Sequence, residues 1–263
     1  MKKKEEKEKL LIKNEKQQFL KRKDFMIKQK LLTKNEWSRP GKELGIVKGI
    51  VLHWIADPKG TPESVFNWFE QRKKGKNGYG SCHYCVGVDG RILQYLPDEE
   101  IAYHVGSKTY TNYALDKLGT YPNNCTIGIE MCHMNWEGEF SDETWIGTKE
   151  LVALLLREHR LTEADITTHM EVVGWKDCPR WFKTFPTELT RFKEEVGKLL
   201  EDRIRGRVTV GSLNVRNEPK GKQVVDTIKK GDTVELIGVQ NGWYKVLFDN
   251  TVGYCSSKYM ELV

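Results

Sequence analysis

The stretch GIVKGIVLHW, residues 45–54, is almost wholly apolar and rich in β-branched residues, and it ends in a histidine and a tryptophan. It has no polar face to turn toward water. It therefore reads as a strand covered on both sides, as strands of parallel sheets are, with His53 emerging at the strand's edge. The neighbouring segments alternate between helix and strand patterns. TPESVFNWFEQRKKG (61–75) opens with a Thr cap and a Pro at the first helical position, then gathers Val65, Phe66, Trp68 and Phe69 on one face. HYCVGVDGRILQYL (83–96) reads as two strands joined at Asp89-Gly90, a tight-hairpin signal. NCTIGIEMCHM (124–134) is a further strand. SDETWIGTKELVALLLREHRL (141–161) is a Ser-capped amphipathic helix with acids in its first turn, and TELTRFKEEVGKLLED (187–202) is a second long helix. Residues 31–201 thus form an α/β domain, a mixed central sheet flanked by helices.

The texture changes after a short charged connector, DRIRGR (202–207). Residues 208–263 carry about five short strands punctuated by Gly, Asn and Pro, the pattern of a small all-β barrel. Two domains fit comfortably in 263 residues.

Composition excludes some functions. The longest wholly apolar run, LVALLL (151–156), is far short of the ~20 residues that span a bilayer. The net charge of +6 invites a nucleic-acid partner, yet residues 1–30 hold 12 Lys or Arg against 5 Asp or Glu. That leader carries +7 and leaves −1 for residues 31–263, so a basic nucleic-acid-binding face within the folded domains is not supported. Residues 1–30 read as a solvated helix or a disordered leader, with a weak stripe of Leu10, Leu11, Phe19, Leu20 and Ile27. A contact with a membrane surface or a wall polyanion is the alternative. Met26 would also serve as a start, leaving the residues before it as an upstream extension. No apolar core of ~7–15 residues follows the N-terminal positive charges, so synthesis in the cytoplasm without a secretory signal is expected. The six scattered cysteines suit reduced thiols.

THMEVVGWKDCPR (168–180) has neither strand alternation nor a helical stripe, and reads as a loop that positions His169, Lys176 and Cys178. Catalytic zinc usually keeps three protein ligands and an open position, and His and Cys suit it. His169 and Cys178 offer two ligands, and His53 is the best-placed third.

His53 in VLHW, Glu130 in TIGIEMC, His169 in THMEVVGWKDC and Cys178 in KDCPR resemble the type 2 N-acetylmuramoyl-L-alanine amidases. These zinc enzymes are related to the peptidoglycan recognition proteins, and many are phage endolysins. The resemblance covers residues 31–200 and keeps the family's motif order. It implies one Zn²⁺ held by His53, His169 and Cys178, lowering the pKa of a bound water and polarising the scissile carbonyl. It further implies that Glu130 is the general base and Lys176 the stabiliser of the oxyanion. Where relatives place a tyrosine before the histidine of an S-Y-H-F-like stretch, this chain has SCHYC with Cys82. His104 and Tyr103, in AYHVG, match a stretch that borders the family's substrate groove. Taken alone, Cys82 and Cys85 form a CxxC whose members point to opposite faces of a strand, so coincidence is the simpler reading. Cys132 shares Glu130's face, and His83 reads as structural.

LNVRNEP, IKKGDTVELIG, NGWYKVLF and VGYCSSKYMELV resemble a bacterial SH3 domain of the kind attached to wall hydrolases, over residues 208–263. The resemblance implies binding of wall peptide, with Trp243, Tyr244 and Tyr254 offering flat aromatic area; core packing would claim about half of such residues by alternation. Together the resemblances imply a modular amidase that cuts between N-acetylmuramic acid and L-alanine of bacterial peptidoglycan. A phage or prophage endolysin, released by a holin, leads; a host autolysin or sporulation amidase is the neighbouring reading. A non-catalytic peptidoglycan-binding protein and a cysteine peptidase built on Cys178 are the rivals from other classes.

Overall fold

The computed structural model describes residues 27–263 apart from 202, 241 and 250. The leader stripe of Leu10, Leu11, Phe19 and Leu20, and the alternative start at Met26, lie outside the described residues. The described chain divides into two compact units, one of Ile27–Leu199 and one that includes Leu200–Val263.

The first unit begins with β1 (Ile27–Gln29) and β2 (Gly49–Trp54), followed by α1 (Pro62–Gln71). The hairpin strands β3 (Tyr84–Val86) and β4 (Ile92–Gln94) come next, then α2 (Asn112–Leu118) and β5 (Thr126–Met131). After α3 (Asp142–His159) and β6 (Ile166–Thr168) the chain forms two short helices, α4 (His169–Val173) and α5 (Arg180–Thr184), and the long α6 (Pro186–Glu201). Among the described residues these strands make one sheet of order β1-β4-β3-β5-β2-β6, in which β2 runs parallel to both of its neighbours. All six residues of β2 are buried, as its unbroken apolar run requires. β3 and β4 pair antiparallel around Gly90, whose φ of 76° suits the turn.

Alternation sends neighbouring side chains to opposite layers. Cys85 packs with Val65 and Phe69 of α1, whereas Val86 meets α3, where a Cβ added to Gly147 would lie 3.2 Å from Val86 Cγ1. Val51 joins Ala114 and Leu118 of α2 and Val172 of α4 on the same side as α1. On the α3 side, α6 is held by an aromatic cluster: the rings of Trp145 and Phe192 are 5.2 Å apart, and those of Phe182 and Phe192 are 5.9 Å apart.

The sequence departs from this architecture in four places. Ile27–Gln29, assigned by sequence to the charged leader, pair parallel with β4 and belong to the sheet. The segment 168–180 is not loop throughout, because α4 occupies its first part. Its signal is present in the sequence: Thr168 and Glu171 form a reciprocal capping box. α2 and α5 also stand where no helix was expected. Finally, Arg205–Arg207 of the assigned connector begin β7 (Arg205–Val208), paired with two strands of the second unit.

In that second unit β7 is followed by β8 (Ser212–Arg216), β9 (Val224–Lys229), β10 (Thr233–Gln240), β11 (Trp243–Phe248), β12 (Thr251–Ser256) and β13 (Met260–Leu262). The sheet order is β13-β7-β10-β11-β12-β8-β9. Val208, Leu213, Val215, Ile228, Val246 and Met260 help fill its core. No described helix is long and apolar enough to cross a membrane.

Phe192 is fully buried between two helices of the first unit. Phe192→Ala should therefore cost about 3–5 kcal/mol, read as a lowered urea midpoint.

Candidate metal centre

The parallel register of β5, β2 and β6 builds the site. His53 is the register partner of Glu130, and Leu52 is the partner of Thr168. The three strands therefore end at one level, and His169 leaves β6 beside His53. The capping box fixes where α4 starts: the Glu171 N–H donates to Thr168 Oγ1 at 3.1 Å, and the Thr168 N–H donates to the Glu171 carboxylate at 2.8 Å. The Met170 N–H then donates to the Cys178 carbonyl at 2.9 Å, folding Cys178 back beside His169. The Cys178–Pro179 bond is cis.

These elements bring together the three side chains expected from the sequence. His169 Nδ1 lies 3.0 Å from His53 Nδ1, and Cys178 Sγ lies 3.7 Å from the same atom. All three ligand atoms fall within 4.8 Å of one another, and all three residues are buried. Donors held at about 2.0–2.3 Å by one tetrahedral ion stand roughly 3.3–3.6 Å apart, a range that the two distances from His53 Nδ1 bracket. The donor chemistry, two imidazoles and a thiol, also suits zinc.

Electrostatics agree with that fit. Burial holds His53 well below its usual pKa, helped by the neighbouring histidines and the Lys176 ammonium. Burial likewise holds His169 down at about 3, with Lys176 again adding to the effect. Both rings are therefore neutral near pH 7 and present lone pairs. Burial pushes the Cys178 thiol up, with the nearby Glu130 carboxylate adding to it. A nucleophilic cysteine needs the opposite shift, which counts against the peptidase reading. Metal ligation, by contrast, supplies the positive charge that a buried thiolate lacks.

Glu130 and Lys176 line the same cleft, which has a volume of about 1460 Å³. Burial raises the Glu130 carboxyl to about 8, opposed by the Lys176 charge. Its Oε2 is buried without a hydrogen-bond partner among the described residues. Tyr103 lines the cleft too, its ring meeting that of Tyr79 edge-on at 5.3 Å. Tyr79, which the sequence did not single out, is an exposed aromatic part of the same wall, and so is Trp68, which the helical pattern grouped with the packed face of α1 but which is half exposed. His104 borders the cleft, but its ring is buried behind His53: His53 Nε2 and His104 Nδ1 are 3.0 Å apart.

The other sequence signals have structural homes. Cys82 and Cys85 do not face opposite ways as alternation along one strand would have it: Cys82 lies before β3, and both join Cys132 in one apolar cluster, where the near thiol pair is Cys85 with Cys132, at 3.8 Å. His83 Nδ1 accepts the Gly128 N–H at 3.0 Å, which ties β5 to the approach to β3. In the second unit Tyr244 is buried in the barrel core, so it offers no flat surface to a ligand. Trp243 and Tyr254 are only partly buried.

With this geometry in view, comparison with known proteins defines the class: a family model described as N-acetylmuramoyl-L-alanine amidase matches residues 43–181, and one described as bacterial SH3 domain matches residues 211–261. The chain belongs to the N-acetylmuramoyl-L-alanine amidase family, with a bacterial SH3 domain behind the amidase domain. A probable N-acetylmuramoyl-L-alanine amidase of Bacillus licheniformis is 34% identical over 200 residues, covering 75% of this chain and 53% of that protein. The chain spans about half the length of the curated relatives it matches. Among solved structures, a mutant endolysin from Bacillus subtilis is 25% identical with a TM-score of 0.51, covering 65% of this chain and 99% of the other. The catalytic domain of XlyA shares the fold at 24% identity and a TM-score of 0.51, over 65% of this chain and 99% of that one.

The Glu130 shift has a consequence for stability. Its carboxyl has an ordinary value of 4.5 and reaches about 8 in the fold. Between those values the folded chain keeps a proton that the unfolded chain has released, so this group's contribution to stability falls as pH rises. In metal-free protein, Glu130→Gln should melt above the parent at pH 8, with the difference vanishing near pH 4. A gap that does not change with pH would contradict the assignment.

Proposed function

We propose that the chain is a zinc-dependent peptidoglycan hydrolase that cleaves the amide between N-acetylmuramic acid and L-alanine of the stem peptide. The observation that carries this reading is the convergence of His53, His169 and Cys178 in a cleft that also presents Glu130 and Lys176. Zinc held by the three would supply Lewis acidity, acidifying water, polarising the scissile carbonyl and drawing Glu130 toward its carboxylate form.

The protein's own groups do the rest. Glu130 Oε2, without a hydrogen-bond partner among the described residues, takes a proton from the attacking water and returns it to the leaving amine of alanine. The Lys176 ammonium faces the negative charge that develops on the carbonyl oxygen and offsets it in a partly desolvated cleft. Trp68, Tyr79 and Tyr103 give the cleft flat apolar walls against which a glycopeptide can lie. In the SH3 domain, Trp243 and Tyr254 are the aromatic groups left for wall peptide. A wall-bound anchor keeps the catalytic domain at high local substrate concentration. The biological setting we favour is phage or prophage lysis, with a holin admitting the enzyme to the wall.

Purified cell wall incubated with the full chain should release fragments bearing new N-terminal alanine, without new reducing sugar ends. Chelator should stop the release and added zinc should restore it. New reducing ends would instead mean a glycosidase, and wall binding without any cleavage would mean a non-catalytic binder. Cys178→Ser should lose zinc and activity together, whereas Glu130→Gln should keep one zinc per chain and lose about 10²–10⁴-fold in rate. A Glu130→Gln variant with near-normal turnover would remove Glu130 from the role of base.

A further inference from the structure

A buried side chain outside the ligand triad governs which nitrogen His53 offers to the centre. We infer that His104 is a positioning residue for the metal site, fixing the His53 tautomer through a one-directional chain of hydrogen bonds that starts at a backbone carbonyl. This rests on the zinc reading given under Proposed function.

The chain can be followed donor by donor. The Thr126 hydroxyl donates to the Pro122 carbonyl at 2.8 Å, so its proton is committed. Its oxygen lies 3.1 Å from His104 Nε2 and can only accept there. The Thr126 carbonyl, 3.3 Å from the same nitrogen, is likewise an acceptor. Nε2 of His104 therefore carries the hydrogen. A neutral imidazole carries a single hydrogen, so with Nε2 committed to the Thr126 acceptors the Nδ1 of this buried ring is bare. That bare Nδ1 faces His53 Nε2 at 3.0 Å, which makes Nε2 the protonated nitrogen of His53. His53 Nδ1 is then left with a free lone pair, pointing at His169 Nδ1 and Cys178 Sγ. A metal-ligating histidine is commonly oriented by a partner on its other nitrogen, and losing that partner typically costs 10–100-fold in metal affinity.

Two features hold His104 in this pose. Asn123 Oδ1 accepts both the His104 N–H, at 3.1 Å, and the Val105 N–H, at 2.9 Å, clamping the backbone. Position 128 on β5 is glycine where the imidazole crosses the strand: a Cβ there would lie 2.5 Å from His104 Cγ and 2.6 Å from Nδ1. Any side chain at 128 would push the ring off His53.

The test compares isosteres at position 104 in the full chain, read as zinc affinity by chelator competition alongside the melting temperature of metal-free protein. His104→Asn can place an oxygen near the Nδ1 position and keep an acceptor for His53. His104→Gln reaches instead to the Nε2 position, keeping the Thr126 contact but withdrawing that acceptor. Zinc affinity should fall about 10–100-fold in His104→Gln and in His104→Ala, and less in His104→Asn. Gly128→Ala, which removes no polar group, should also weaken zinc binding. Equal zinc affinity in the parent, His104→Gln and Gly128→Ala would overturn the inference while leaving the zinc centre intact. Failure of the parent to take up zinc at all would instead overturn the zinc reading itself.

Discussion

The parallel pairing of β2 with β5 and β6 is the constraint from which the site follows. In a parallel sheet all strands end on the same edge, and residues in register share a face. With His53 opposite Glu130 and Thr168 opposite Leu52, an acid and two histidines arrive at one edge with no loop needed to carry them there. A slip of one residue in either pairing would send a side chain to the face covered by α3. The burial of β2 on both sides resists such a slip, because every one of its residues has a packing partner to lose. Only Cys178 depends on irregular chain, and the bond from the Met170 N–H to its carbonyl ties that chain to the start of α4.

Such a cluster is costly to bury on its own account. Two neutral imidazoles face each other through the same kind of nitrogen, a thiol sits beside them, and Glu130 Oε2 has no hydrogen-bond partner among the described residues. Packing alone would favour apolar residues at these positions. A divalent cation would resolve the mismatch, since His53, His169 and Cys178 could offer it two lone pairs and a thiolate and Glu130 would gain a positive neighbour. Burial is the first cause of the lowered histidines and of the raised carboxyl and thiol, so each of these groups is held in its neutral form.

Much of this was legible from residues. His53 and Glu130 sit in strands whose apolar runs announce burial, and a polar residue in such a run demands a partner. His169 and Cys178 were readable from spacing and residue type. Elements of three to five residues are too short to show periodicity: β1, β6, α4 and α5 go unread, whereas the equally short β3 and β4 are marked by the Asp89-Gly90 turn between them. α4 did carry its T-x-x-E capping signal. The role of His104 could not be read locally, since its partners Thr126 and Gly128 are brought to it by the sheet. Tyr244 illustrates the limit of alternation without a known register: alternation claims about half the aromatic residues of a small barrel for its core, but only the fold says which.

X-ray absorption at the zinc edge of the zinc-loaded full chain tests the central claim most directly. The account predicts one sulfur at about 2.3 Å and two imidazole nitrogens at about 2.0–2.1 Å, with one further light atom completing the shell. A shell without sulfur, or one with several sulfurs drawn from the Cys82, Cys85 and Cys132 cluster, would contradict it.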